Sequence, residues 1–553
     1  MTADLMIVNG KVLTMDEGRP RAEAVAMAGG KIRRVGRNRD ILADKGRKTK
    51  VIDAGGRTVL PGFIEGHMHV VPGSLELSML NVEGLNGVEA IGKAVRAFAK
   101  ENPGDGIIVG NQLSYVAFGN GRAATRHDLD TCLPDRPLVI YAPDHHTAWA
   151  NTKALELGGI LHGRTLTPGH EIVMGEDGLA TGELREPQAI GPAVEAATDY
   201  ARARAALEGH EVDPHPGDQE FEADLDVVKR GLAHLARHGI TSFHNMDGNI
   251  YTMQLLHALE QRGELTARAR VPFHFKPFMA LSALERARLI TEGYRSDMLR
   301  GGMVKLFMDG VLDSGTAVVL DDYPDRAGWR GDPLFSQERF NEISILADRM
   351  GLQIAVHAIG DGAVRMTLNG FEAARKANGK RDSRHRIEHI EIHHPDDVKR
   401  FRSLGVIASM QTCHAPGHSG LPLEPTISKI GRDKWPYAYA WQTFRKARVP
   451  LVFGTDWPVS DINPMRAIHS AVTRTEWGDN MKPQRQGLHD TLHSYTAMGA
   501  YAEFAEGRKG LLKAGAMGDA VVLDADLEGI DPDDLQRVKV QATVVGGRLV
   551  YGA

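Results

Sequence analysis

Two histidines one residue apart, His67 and His69, close the segment LPGFIEGHMHV at residues 60–70. In a β-strand, residues i and i+2 face the same side, about 6.6 Å apart along the chain. Two imidazoles from one strand end can therefore turn toward one point. A bound metal requires this, with nitrogen donors at roughly 2.0–2.1 Å. An isolated His-x-His is more often a pair of loop histidines or one satisfied core histidine. Here the pattern does not stay isolated. His357 follows QIAV and precedes IGDGA, His389 follows RHRIE, and Asp456 ends PLVFGTD. Each closes a short apolar run that reads as a strand turning into a loop. Lys305 lies inside another such run, GMVKLFMDG. A buried lysine is costly unless it is paired or chemically changed. One such change is carboxylation by CO₂, which makes an anion able to bridge two metals.

Side chains this far apart in sequence meet only if their strands run side by side. The middle of the chain alternates apolar runs (GITSFHNM, GMVKLFMDG, LQIAVHAIG, GVIASMQT, PLVFGTD) with helical spacing, as in RFNEISILADRMG and KPQRQGLHDTLHSYTAMGAYAEFA. That alternation implies parallel strands with helical crossovers, buried on both faces. The expected fold is α/β, an eight-stranded (β/α)8 TIM-like barrel over residues 59–507, with the chemistry at the C-terminal strand ends. The stretch from about 71 to 215 is too long for one crossover and reads as an inserted subdomain. Its tail, EGHEVDPHPGDQEFEADLD, reads as surface loop despite His210 and His215. Both chain ends carry β-branched runs broken by Asn-Gly and Gly-Gly, which are hairpin signals. A small composite β-sandwich from residues 1–58 and 508–553 accounts for them.

Composition bounds the partners. The 553 residues are 42% hydrophobic and 25% charged, with a net charge of −5. This offers no basic field for nucleic acid or anionic lipid. Two cysteines, Cys132 and Cys413, exclude a disulfide framework and lack structural-zinc spacing. Neither a signal peptide nor an apolar run of about 18 residues is visible. A cytoplasmic enzyme of small molecules is expected, without nucleic-acid or membrane partners, and a homodimer is compatible with this.

The order HxH, Lys, His, His, Asp resembles the amidohydrolase superfamily. Within it, the chain is similar to the family 3 or YtcJ-like branch, which includes N-substituted formamide deformylase. LPGFIEGHMHV, DHHTAWANTKALELGGI, GLATGELRE, VKLFMDG, VHAIGDGAV, RIEHIE, ASMQTCH, FGTDWPV and AGAMGDAVVLDAD carry the likeness, which spans nearly the whole chain. It implies a metal-dependent barrel with a small β-sandwich. His67 and His69 would bind one divalent ion, with Zn²⁺ favoured and iron, manganese or cobalt open. His357 and His389 would hold a second, bridged by Lys305 if carboxylated, and a single ion otherwise. Asp456 would bind metal and carry the proton. Two departures stand out: Glu65 where relatives often have Asp, and QTCH in place of the usual Gln-Pro at Gln411.

The implied activity is hydrolysis of an amide, N-formyl or cyclic amide C–N bond of a small molecule by metal-activated hydroxide, with Asp456 as base and then acid. His146 is a candidate substrate or oxyanion contact, or an ordinary loop histidine. Trp149, Glu186, Asp309, Gln411 and Trp457 are candidate pocket residues. Packing, a helix start or a turn cap explains several of them equally. His393 and His394 read as exposed loop. A metal-dependent isomerase or lyase and a ring deaminase use the same ligands. A non-catalytic scaffold is disfavoured, because no ligand position is lost.

Overall fold

Strands from the two chain ends pair with one another. Thr58–Pro61 runs antiparallel to Ala520–Leu523, setting Val59 against Val522. These two lie inside a six-stranded sheet that also takes in Arg548–Tyr551, Val540–Val545, Lys11–Leu13 and Arg21–Ala22. A four-stranded sheet holds Lys31–Gly36, Ala24–Ala28, Leu5–Val8 and Lys50–Asp53. Leu5, Ile7, Val25 and Met27 of the second sheet share one apolar core with Val59, Val522 and Val544 of the first. Each such buried side chain contributes about 1.5–3 kcal/mol. The hairpin between Ala24–Ala28 and Lys31–Gly36 turns at Gly29 and Gly30, with φ of 57° and 76°. Positive φ at both positions suits a two-residue turn and explains the Gly-Gly pair.

A computed structural model describes residues 2–552 apart from 120, 121, 144, 168 and 196. It divides into two units, Met1–His69 with Lys229–Ala553, and Val70–Val228. In the first unit, the break at Pro61-Gly62 leads into the strand Phe63–Met68. A Cβ at Gly62 would meet the Thr241 side chain at 2.1 Å, so only glycine lets these strands approach. Phe63–Met68 continues a parallel sheet through Ile240–Asn245 and Arg268–Arg270 to Leu299–Arg300. A second parallel sheet runs Phe273–His274, Met303–Phe307, Gln353–Ala358, Arg386–His389, Ile407–Met410, Leu451–Phe453. Helices Ile250–Gln261, Gln337–Arg349, Asp361–Asn378 and Trp441–Lys446 are among the crossovers. Just beyond Leu451–Phe453, Asp456 donates its N–H to the His67 carbonyl at 2.8 Å. His69 donates to the Trp457 carbonyl, also at 2.8 Å.

The second unit carries its own six-stranded sheet: Glu171–Met174, Ala180–Arg185, Thr147–Ala150, Leu138–Tyr141, Ile108–Asn111, Leu80–Asn81. Helices Val88–Glu101 and Arg126–Cys132 cover a core of Ile91, Val95, Leu129, Ile140 and Trp149. Among the described residues no helix is long and apolar enough to cross a membrane.

Two local readings change, and one strand was not visible in the sequence. The tail read as loop is helical from Asp218, within Asp218–Arg237. The long C-terminal helical pattern is two helices, Leu488–Ser494 and Ala497–Ala502. Arg268–Arg270 is a buried strand that its charge hid. Arg268 places Nε 2.7 Å from Asp519 Oδ2 and Nη2 2.9 Å from Oδ1, joining this strand to the end strands. Both residues are buried. Asp519→Ala strands the guanidinium and should cost about 3–5 kcal/mol. Denaturant midpoints of wild type and variant measure this; a loss below about 1 kcal/mol would mean the pair is effectively solvated.

Candidate metal centre

The strand ends of the first unit bring His67, His69, His389 and Asp456 together. Ligand atoms of His67, His389 and Asp456 lie within 4.8 Å of one another. Asp456 Oδ1 stands 3.2 Å from His67 Nε2 and 3.2 Å from His69 Nε2. Tetrahedral donors about 2.0 Å from one ion are about 3.3 Å apart, so the spacing fits a shared cation. Their other ring nitrogens are already committed. His67 Nδ1 meets Glu388 Oε2 at 2.8 Å, and His69 Nδ1 meets Asp247 Oδ2 at 2.8 Å. A carboxylate on Nδ1 favours the tautomer whose Nε2 carries a free lone pair.

Backbone strain gathers at the same place. His389, Ile390 and Asp456 have φ of 74°, 52° and 61°. Residues with side chains adopt this region at some cost, held by their surroundings. Ile390 is tied by its N–H to Ala358 O at 3.1 Å, and Asp456 by its N–H to His67 O. Two glycines permit the close approach. A Cβ at Gly66 would lie 2.4 Å from Phe453 O, and one at Gly454 would lie 2.5 Å from His67 N. Glu65 has a clear role here: its Oε1 accepts from the Thr455 N–H at 2.6 Å and the His67 N–H at 3.2 Å. The departure from Asp therefore ties the first strand to the last. Burial pushes this carboxyl up to about 8.

The other sites separate into two groups. His357 stacks on Phe307, with ring centroids 4.5 Å apart, and lies 4.4 Å from the His389 ring. Its Nε2 meets Gly310 O at 3.1 Å. Lys305 is fully buried, and its Nζ has no hydrogen-bond partner among the described residues. Nζ sits 4.7 Å over the Phe307 ring, and burial lowers its pKa to about 8 despite Glu388 and Asp456. An orphaned amine beside these carboxylates fits a group that is modified or metal-bound. Burial and the neighbouring His357 and His67 hold His389 well below the usual histidine range, so it offers a neutral lone pair. Burial would raise Asp456, but His67, His69 and His389 outweigh it and keep a carboxylate.

Asp309 takes the turn-capping place that its position after GMVKLFM also allowed. It is buried and accepts the backbone N–H groups of Val318, Ile359 and Gly360 at 2.9–3.0 Å, so it caps loops. Trp149 is fully buried in the core of the second unit, edge-on to Tyr115. In that unit His146 Nδ1 faces Glu186 Oε2 at 2.9 Å, and Glu186 has φ of 67°. Gln411 is buried, with neither amide atom bonded among the described residues. Trp457 is also buried and lies against the His234 ring. His393 is not exposed: it packs on Phe444 and Tyr437.

Sequence reading passed over Asp247, Glu388 and Arg386. Arg386, fully buried, spends its guanidinium on Glu388, on His244 Nδ1 at 2.8 Å, on Gly66 O at 2.7 Å and on Ser409 Oγ at 2.7 Å. Burial would raise Glu388, but Arg386 and then His67 hold it well below the usual carboxylate range. The available signal was a charged pair two residues apart, Arg386 and Glu388, inside a strand otherwise reading as buried.

The chain matches the amidohydrolase family over residues 50–551 and belongs to it. It is 29% identical to Protein LONG AFTER FAR-RED 3 of Arabidopsis thaliana, over 100% of this chain and 92% of that one. It is 24% identical to N-substituted formamide deformylase of Arthrobacter pascens, over 99% and 98%. The solved structure of an uncharacterized metal-dependent hydrolase from Pyrococcus horikoshii aligns with TM-score 0.72 at 24% identity, covering 96% of this chain and 98% of that one. The chain is a hydrolase acting on carbon–nitrogen bonds, on an α/β fold of TIM-barrel type.

A proton on His69 competes with metal. Burial opposes that proton, but Asp247 and Asp456 outweigh it and push His69 up to about 9. Binding a cation at Nε2 must then release the proton. Because the pKa is raised, competition is strongest at low pH and ends above it. Divalent-metal affinity should climb by up to about tenfold per pH unit from 6 to 9 and then level off. Chelator competition across this range measures it; a flat profile would remove His69 from the ligand set.

Proposed function

We propose that this chain hydrolyses the C–N bond of a small amide, N-formyl amide or cyclic amide at a divalent-metal centre held by His67, His69, His357, His389 and Asp456. In this reading the two parallel sheets are arcs of one closed eight-stranded barrel, and Zn²⁺ is the ion its donors suit best. The observation that carries the proposal is the convergence of the His67 and His69 Nε2 atoms on Asp456 Oδ1, 3.2 Å from each. A bound divalent ion supplies a water of lowered pKa and polarises a carbonyl. The chain's own residues do the rest. Glu388 and Asp247 keep the two histidines in the ligating tautomer. Asp456 accepts the attacking water's proton and delivers it to the leaving nitrogen, as base and then as acid.

Lys305, if carboxylated, would hold metal as a carbamate, an anion able to bridge two ions. A buried amine lowered to about 8 has the neutral fraction that attack on CO₂ needs. Carbon-13 NMR of protein equilibrated with labelled bicarbonate should show a carbamate signal that Lys305→Ala abolishes. A spectrum unchanged by the substitution would reject the bridge.

Asp456→Asn keeps the size and one acceptor oxygen but cannot shuttle a proton. It should retain much of its metal and lose about 10²–10⁴-fold in kcat. The assay follows amine release from a panel of N-acyl, N-formyl and cyclic amides, beside metal content. Near-normal turnover in the variant would take Asp456 out of the mechanism. No amine release from any panel member by metal-loaded wild type would count against the amide substrate class.

A further inference from the structure

We propose that Arg386 is a positioning residue for metal binding: it fixes the carboxylate plane of Glu388, and through it the tautomer of His67. The inference rests on the metal-centre reading above and adds a residue that touches neither metal nor substrate.

The guanidinium donors of Arg386 differ in how many acceptors each can choose. Arg386 Nη2 has two hydrogens and two neutral acceptors, Gly66 O and Ser409 Oγ, each at 2.7 Å. Its contact with Glu388 Oε2 is longer, 3.0 Å. Nη1 faces His244 Nδ1. Nε has one hydrogen and one acceptor, Glu388 Oε1. That bond pins one carboxylate oxygen. The other, Oε2, is thereby presented to His67 Nδ1 at 2.8 Å. An acceptor there requires the proton on Nδ1, so the Nε2 lone pair points at Asp456. Both partners are fully buried, so water cannot substitute for either. A guanidinium's planar fork enforces this geometry, which a point-like ammonium cannot.

Glu388→Gln exposes the dependence. The amide has one oxygen, and the Arg386 Nε–H claims it. The amide nitrogen is left facing His67 Nδ1, where it donates. His67 must then accept at Nδ1 and carry its proton on Nε2, the wrong nitrogen for a ligand. Removing the claimant frees the amide to turn, and its oxygen can again accept from Nδ1. Charge balance alone also predicts rescue when a neutral residue replaces Arg386, because the stranded cation is gone, but it predicts none when lysine replaces it, because the positive charge stays.

The test is chelator-competition affinity for Zn²⁺ in the full chain, with thermal midpoints recorded beside it. Glu388→Gln should weaken Zn²⁺ binding by about 10–100-fold. The double variant Arg386→Met with Glu388→Gln should recover at least a tenfold share. Arg386→Lys with Glu388→Gln is the deciding variant: it keeps the positive charge but lacks the guanidinium fork that claims the amide oxygen, so it should recover a similar share. Wild-type affinity in Glu388→Gln, or folded double variants no tighter than the single, would overturn the role of Arg386. Failure of wild type to bind any divalent ion would instead overturn the metal centre itself.

Discussion

A guanidinium with no exposed surface sits among the parallel strands, and the site depends on it. Arg386 meets acceptors from four strands: Gly66, His244, Glu388 and Ser409. Two of those strands, Phe63–Met68 and Arg386–His389, belong to different sheets. Burying an unpaired charge costs several kcal/mol, so the strands must bring it a carboxylate and neutral acceptors at hydrogen-bonding distance. Once Glu388 is there, its second oxygen has a fixed direction, and His67 takes that direction. The interior charge thus sets strand spacing and ring orientation with one set of bonds. Below it, His244 Nε2 reaches Glu503 Oε1 at 3.3 Å, and Lys509 Nζ reaches the same oxygen at 2.6 Å. The polar column is therefore continuous from the site to the C-terminal part of the chain.

Electrostatic contrast among the histidines follows from what each one faces. His69 lies between two carboxylates and holds a proton to about 9. His389 faces His357 and His67 and stays neutral far below the usual range. One ligand must be deprotonated by the incoming cation, whereas the other is ready. Asp456 compensates the positive side of this balance, and its left-handed backbone is part of how it reaches both Nε2 atoms. Relaxing φ at 456 would swing the carboxylate away. The strain is thus coupled to the position of the carboxylate.

The apolar runs made most of the central strands legible, because parallel strands buried on both faces need no polar alternation. GITSFHNM, LQIAVHAIG and PLVFGTD each contain one. The ligand-bearing strand ends were legible for the same reason: histidine and aspartate stand out at the close of an apolar run. What stayed hidden was charge that folding neutralises. Arg268 and Arg270 look like surface residues until Asp519 and the Ala502 carbonyl are known to face them. Glu388 and Asp247 look like ordinary acids, because their partners are 321 and 178 residues away. Local pattern cannot report a partner at that separation. His393 failed in the opposite sense, since a His-His-Pro sequence suggests solvent although Phe444 covers it.

Asp309 shows how a residue near the chemistry can matter without touching it. Its two oxygens accept three backbone N–H groups, from the segment ending at Val318 and from the turn at Ile359 and Gly360. Its neighbour Gly310 offers the carbonyl that meets His357 Nε2. The His357 ring lies edge-on to the His389 ring, with centroids 4.4 Å apart. Burial pushes Asp309 up to about 7, against three backbone donors that favour its charged form. Gly360 completes the device, because a Cβ there would lie 2.0 Å from the Val318 carbonyl. The same logic therefore operates twice. Arg386 works through Glu388 to orient His67, and Asp309 ties the segment ending at Val318 to the turn that follows His357. In both cases a buried charged group is satisfied within the fold, and what that satisfaction fixes is the backbone and side-chain geometry around a histidine.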